Sequence, residues 1–172
     1  MTRVTVSILT TVLAAIVAAP ATALDHAGSG EAAFDVIVVR YEAIHRALAS
    51  DTFDGVAENA LAIQTAAETA AKDFSAQKAG VATAEADACR SLLPEVARAA
   101  AKLAAAKDLG AAREAFGELS RPMVRWREMA TGERPKVAYC PMAKKPWLQD
   151  SEEIANPYYG SKMLRCGSIV SK

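Results

Sequence analysis

The sequence predicts an all-α fold, an up-down four-helix bundle with an irregular C-terminal cap rich in Cys, Met and aromatic residues. Three observations carry that prediction. Residues 31–130 are dominated by Ala, Leu, Glu, Lys and Arg, which are strong helix formers. Apolar residues recur at helical spacing over four successive stretches. After Gly132 the pattern stops, and prolines appear at 135, 141, 146 and 157.

The first helix is expected over 31–49, with Phe34, Ile37, Val38, Tyr41, Ile44 and Leu48 on one face and Ser50-Asp51-Thr52 ending it. The second is expected over 53–74, carrying Val56, Ala60, Ile63, Ala67, Ala70 and Phe74. The third is expected over 81–107, with Cys89, Leu92, Leu93, Val96, Ala100 and Leu103 together and a kink or break at Pro94. The fourth begins at Asp108 as N-cap and carries Leu109, Ala112, Phe116, Leu119, Met123 and Trp126, with a bend at Pro122. Short connections between consecutive helices favour antiparallel neighbours. Phe34, Tyr41, Ile63, Phe74, Leu92, Val96, Leu103, Phe116 and Leu119 are the expected core.

Residues 134–172 cannot bury a core of their own and are expected to pack on the bundle as part of the same domain, which begins at residue 24. Residues 152–155 could form one helical turn. Asn156-Pro157-Tyr158-Tyr159-Gly160 reads as a chain reversal that returns Met163 and Cys166 towards Cys140 and Met142.

The N-terminus reads as a signal peptide over residues 1–23. Arg3 supplies the positive start, residues 4–19 the apolar run, and Ala21-Thr22-Ala23 the small residues before cleavage. A bilayer span needs about 20 strongly apolar residues, and this run is shorter and weaker. The expected location is therefore the periplasm, with no membrane span after cleavage. The remaining 149 residues fit one domain. Residues 24–133 carry 12 basic and 17 acidic groups and residues 134–172 carry 7 and 3, so nothing offers the strongly basic face that nucleic acid needs.

Three cysteines remain in the exported part. Cys89 shares a helical face with Leu92, Leu93 and Val96 and reads as a buried small hydrophobe. Cys140 and Cys166 lie in the tail, each with a methionine close by, in Cys140-Pro141-Met142 and Met163-Leu164-Arg165-Cys166. Two accounts are open. In an oxidising compartment the pair could be a disulfide stapling the tail, worth about 3 kcal/mol for such a loop. Alternatively, Cys140, Met142, Met163 and Cys166 are metal ligands, because thiolate and thioether donors prefer soft cations such as Cu(I). Trp147 is a secondary candidate, through its electron-rich face. So is His26, because cleavage after Ala23 would start the chain Leu24-Asp25-His26, an N-terminal pattern that can wrap Cu(II) or Ni(II). A copper ion is the only cofactor expected. His45 reads as a satisfied, partly buried side chain. Neither a Ser-His-Asp set, nor a phosphate-binding glycine loop, nor a paired-carboxylate pattern is legible, and no enzyme is expected. Thiol redox chemistry is the weakest reading, since the Cys-x-x-Cys spacing is missing.

The run Tyr139-Cys140-Pro141-Met142-Ala143, Trp147-Leu148, Asn156-Pro157-Tyr158-Tyr159-Gly160, Met163-Leu164 and Cys166-Gly167 resembles one family's signature. That family is an uncharacterised helical domain found at the C-terminus of periplasmic adaptor subunits of copper and silver efflux pumps, and as stand-alone exported proteins. The resemblance implies heavy-metal handling in the periplasm, most naturally of copper, with an efflux component as partner. It does not imply the four sulfur ligands, which are inferred from their own chemistry. The flanking sequence shows no adaptor-type hairpin or barrel, so bridging a pump to a channel is not expected of it.

Overall fold

The computed structural model describes residues 31–171. The expected signal peptide, its cleavage site and His26 lie outside them. Helix α1 is Ala33–Ala49, and it buries Phe34, Ile37, Tyr41, Ile44 and Leu48 along one face. Ser50 caps its end and Asp51 turns the chain with φ +58°. Helix α2 is Val56–Lys72, shorter at both ends than the sequence suggested, since Gly55 takes a left-handed conformation just before it. Phe74 therefore falls beyond α2 and is half-buried rather than in the core, with the Arg90 guanidinium 4.8 Å above its ring.

The third expected helix does not begin at Val81. A four-residue helix, α3 (Ala76–Ala79), precedes it, and Ser75 caps α3 by accepting from the Lys78 amide. Val81 instead bridges Ala130, and α4 runs from Ala86 to Ala104. Helix α4 passes Pro94 without a break, and α5 (Leu109–Met129) likewise passes Pro122. Asp108 is the N-cap of α5, its carboxylate accepting from the Ala111 amide at 2.8 Å. Helix α1 packs on α2, α2 on α4, α4 on α5, and α5 back on α1.

The tail corrects the all-α expectation. It is not irregular but forms a three-stranded antiparallel sheet, β1 (Lys136–Cys140), β2 (Lys145–Gln149) and β3 (Ser168–Ser171), in the order β2-β1-β3. The fold is thus mainly helical with a small sheet. The prolines that mark the end of the helical pattern sit where strands tolerate them. Pro135 precedes β1, Pro141 lies in the β1–β2 turn, and Pro146 is on the edge strand β2, where a missing donor costs least. Residues 152–155 bend without forming a helical turn, and the tail's one 3₁₀ segment is Gly160–Met163.

The sheet packs on α5, and Val137, Ala138, Cys140, Trp147, Leu148 and Tyr158 join the same buried cluster as the helices. A directional hydrogen-bond chain pins it. The Ser120 hydroxyl donates to the Phe116 carbonyl at 2.8 Å, so it accepts from Tyr41 Oη at 2.6 Å, and Tyr41 Oη in turn accepts from the Leu148 amide at 3.2 Å. Tyr158 Oη donates to the Pro146 carbonyl. A second clamp lies at the Asn156–Gly160 reversal. Arg113 donates to the Pro157 carbonyl (3.0 Å), the Leu48 carbonyl (2.9 Å) and Asp51 (2.6 Å), and Asp51 accepts from the Ser161 amide (2.9 Å). Gly160 has φ +56°, and a Cβ there would lie 2.1 Å from Asp51 Oδ1, so only glycine fits.

Candidate metal centre

Cys140 ends β1, and the four residues Pro141-Met142-Ala143-Lys144 turn the chain into β2. Lys144 has φ +55° and its amide donates to the Cys140 carbonyl at 2.8 Å, which closes the turn. Pro141 has no N–H. Ala143 N–H donates to Cys140 Sγ at 3.3 Å, and the Met142 amide helps to lower the Cys140 pKa.

Cys166 arrives from the other side. The 3₁₀ segment carries the chain to it, and its amide donates to the Met163 carbonyl at 2.9 Å. Gly167 follows with φ +142°. A Cβ there would stand 2.6 Å from Trp147 Cη2, so glycine lets the chain cross closely over the indole. The outcome is a Cys140–Cys166 Sγ separation of 3.8 Å, with both cysteines free. The sequence-level expectation that the reversal brings the two together is met.

Asn156 organises the site and was not singled out as a site residue by sequence. It is fully buried, its amide donates to the Leu164 carbonyl (2.8 Å), its Nδ2 donates to the Cys166 carbonyl (2.6 Å), and its Oδ1 accepts from the Tyr158 amide (2.8 Å). Its side chain also helps to lower the Cys140 pKa. Asparagine before proline signals a turn, and that signal was legible. Its effect on the Cys140 thiol needed the 140s and 160s to be adjacent.

The two thiols differ electrostatically. Burial pushes Cys140 up, but the Ala143 amide, the Asn156 side chain, the Cys166 thiol and the Met142 amide together hold it below the ordinary thiol value. Cys166 is pushed up by loss of solvent, by the hydrogen bond it gives Cys140 and by the Cys140 charge, with the Met142 amide opposing. Cys140 is fully buried and Cys166 half-buried.

The other candidates fall as follows. Met142 is 62% exposed and Met163 36%, so neither thioether is a core packing residue. The Met142 backbone amide lowers the pKa of both thiols. Trp147 is fully buried, its indole N–H donates to Gln149 Oε1 at 2.8 Å, and its ring meets Tyr158 edge-on at 5.9 Å. Its observed contacts are thus packing contacts beside the Cys166 segment. Cys89 is in the core, with its thiol pushed up to about 11 by burial. His45 is buried and satisfied, with Nε2 donating to the Ala155 carbonyl at 2.7 Å and Nδ1 3.3 Å from Glu42. Among the described residues no third Cys, His, Asp or Glu converges with the pair. A groove of about 610 Å³ between α4 and α5 holds no residue of the tail and is crossed by the Lys102–Glu118 and Arg125–Glu95 ion pairs.

The 3.8 Å separation is that of two free thiols in hydrogen-bond contact. Ligands about 2.3 Å from a tetrahedral metal stand about 3.8 Å apart, whereas a disulfide needs about 2.05 Å. No known protein family, no curated protein and no solved structure matches this chain. Among the described residues, no helix is long and apolar enough to cross a membrane.

Proposed function

We propose that this is an exported periplasmic protein that binds a soft metal ion, with copper as its cargo, through the Cys140 and Cys166 thiolates. The observation that carries the reading is the 3.8 Å pair with the Ala143 amide already donating to one sulfur. Donors that stabilise a thiolate lower the proton's hold on it, and a metal must displace that proton to bind. Met142 and Met163 are the proposed thioether donors that complete the set. Both lie near the pair in sequence and neither is consumed by core packing. The reading is one of binding, not catalysis. The tail's likeness to domains of copper and silver efflux adaptors supports a role in heavy-metal resistance, with an efflux component as partner. The N-terminal pattern of residues 1–23 supports export.

Native mass spectrometry of the reduced protein with Cu(I) tests this. One Cu(I) per chain is expected in the wild type and in Cys89→Ser, weaker retention in Met163→Leu, and none in Cys140→Ser/Cys166→Ser. Unchanged Cu(I) affinity in that double variant removes the proposal. Protein isolated two hydrogens light and unresponsive to Cu(I) even after reduction would leave the tail as a disulfide-stapled interaction module.

A further inference from the structure

The two sulfurs are unequally placed. Cys140 is sealed from solvent, and the Ala143 N–H donates to its sulfur at 3.3 Å. Cys166 is half-buried, 3.8 Å away, and its backbone sits between the 3₁₀ segment and Gly167. An external reagent therefore meets Cys166 first, while the Ala143 N–H is placed to solvate a departing Cys140 sulfur. Thiol–disulfide exchange depends on both, because access decides which sulfur is attacked and leaving-group stability decides how fast the other departs.

We propose that Cys140 and Cys166 form a reversible dithiol–disulfide pair that exchanges with low-molecular-weight thiols and disulfides through Cys166, with Cys140 as the sheltered resolving and leaving sulfur. In the oxidising direction Cys166 passes its proton to the Cys140 sulfur 3.8 Å away as it attacks a small disulfide, forming a mixed disulfide and releasing one small thiolate. Cys140 then attacks the Cys166 sulfur, closing the Cys140–Cys166 bond and expelling the second small thiolate. The small disulfide is reduced to two thiols and the protein dithiol is oxidised. In the reducing direction a small thiolate attacks the Cys166 sulfur. The bond to Cys140 breaks, and the electron pair goes to a Cys140 thiolate that the Ala143 N–H solvates. A second small thiol then frees Cys166 and takes the first away as the small disulfide. This inference uses the same sulfurs as the metal proposal but does not depend on metal binding. Where both hold, closing the bond withdraws both thiolates from the ion, so release of the cargo is coupled to oxidation.

Oxidised glutathione, the full chain and peptide mapping test it. In the wild type, brief treatment with limiting iodoacetamide should alkylate Cys166 before Cys140, and this needs no variant to fold. Treatment with oxidised glutathione should remove two thiols without a lasting adduct. Cys140→Ser should accumulate one glutathione on Cys166, because the resolving sulfur is gone. Cys166→Ser should take up glutathione on Cys140 at least about tenfold more slowly, since that sulfur is shielded. Equal rates on the two cysteines, or a wild-type pair that stays reduced or accumulates an adduct, would overturn the assignment. Cu(I) binding by the reduced protein is read separately, so either proposal can fail while the other stands.

Discussion

Tyr41→Phe isolates one hydroxyl at the seam between helices and sheet. The ring stays packed against Phe116, whose centroid is 4.7 Å away, so little volume is lost. The loss is polar. Leu148 lies on the edge strand β2 and donates its amide to Tyr41 Oη, and Ser120 loses the donor that Tyr41 supplies. A buried donor left without an acceptor costs about 1–3 kcal/mol, so about 2 kcal/mol is expected here. For a chain of this size that corresponds to a fall in Tm of about 4–8 °C. Ser120→Ala removes the acceptor of the buried Tyr41 hydroxyl and should likewise cost about 1–3 kcal/mol. The two share one bond, so the double variant should lose less than the sum, with a coupling of at least about 0.5 kcal/mol. Thermal and urea unfolding followed by circular dichroism would measure all three. A Tyr41→Phe protein as stable as the wild type, or strictly additive losses, would show that the Leu148–Tyr41–Ser120 chain does not hold the sheet in place.

Gly160→Ala should destabilise by at least about 1 kcal/mol from its left-handed φ alone, before the clash with Asp51, and a melting curve reads it. Asp51 is held far below its ordinary value by the Ser161 and Arg113 hydrogen bonds, so its contribution is present above pH about 4 and is lost as pH falls towards the folded value. Asp51→Asn should flatten that acid limb in pH-dependent unfolding, and an unchanged limb would refute it. Burial, then the neighbouring Tyr158, raises Tyr41 well above 10, and burial raises Tyr158 too, so both should ionise only with unfolding. Stability should fall as pH rises above about 10, and ultraviolet alkaline titration should show two of the four tyrosines ionising late. Cys89→Ser places a hydroxyl in an apolar cluster and should cost about 1–3 kcal/mol in denaturant melts without altering Cu(I) uptake.

The helices were legible because each long one carries its own evidence. The face Phe34, Ile37, Tyr41, Ile44 and Leu48 is buried as its spacing requires, and Asp108 caps α5 as its position before Leu109 predicts. Both signals act within a few residues along one chain segment, where sequence order and spatial order coincide. The reversal at Asn156–Gly160 was legible for the same reason, and with it the meeting of Cys140 and Cys166. The sheet was not. Strands β1, β2 and β3 are four or five residues long, Pro135 and Pro141 flank β1 and Pro146 lies within β2, yet β1 finds its second partner, β3, about 30 residues on. What makes them strands is the surface of α5 beneath and the pairing beside, and neither is written in any one segment. The same holds for Asn156 beside a thiol, for Tyr41 bonded to Ser120 across 79 positions, and for the inequality of the two sulfurs. The sequence by itself determined the helical body, the turn and the convergence of the cysteine pair. Only the tertiary structure decided which cysteine is sheltered and which is reachable, because burial and hydrogen-bond donors come from elements that meet only once the chain has folded.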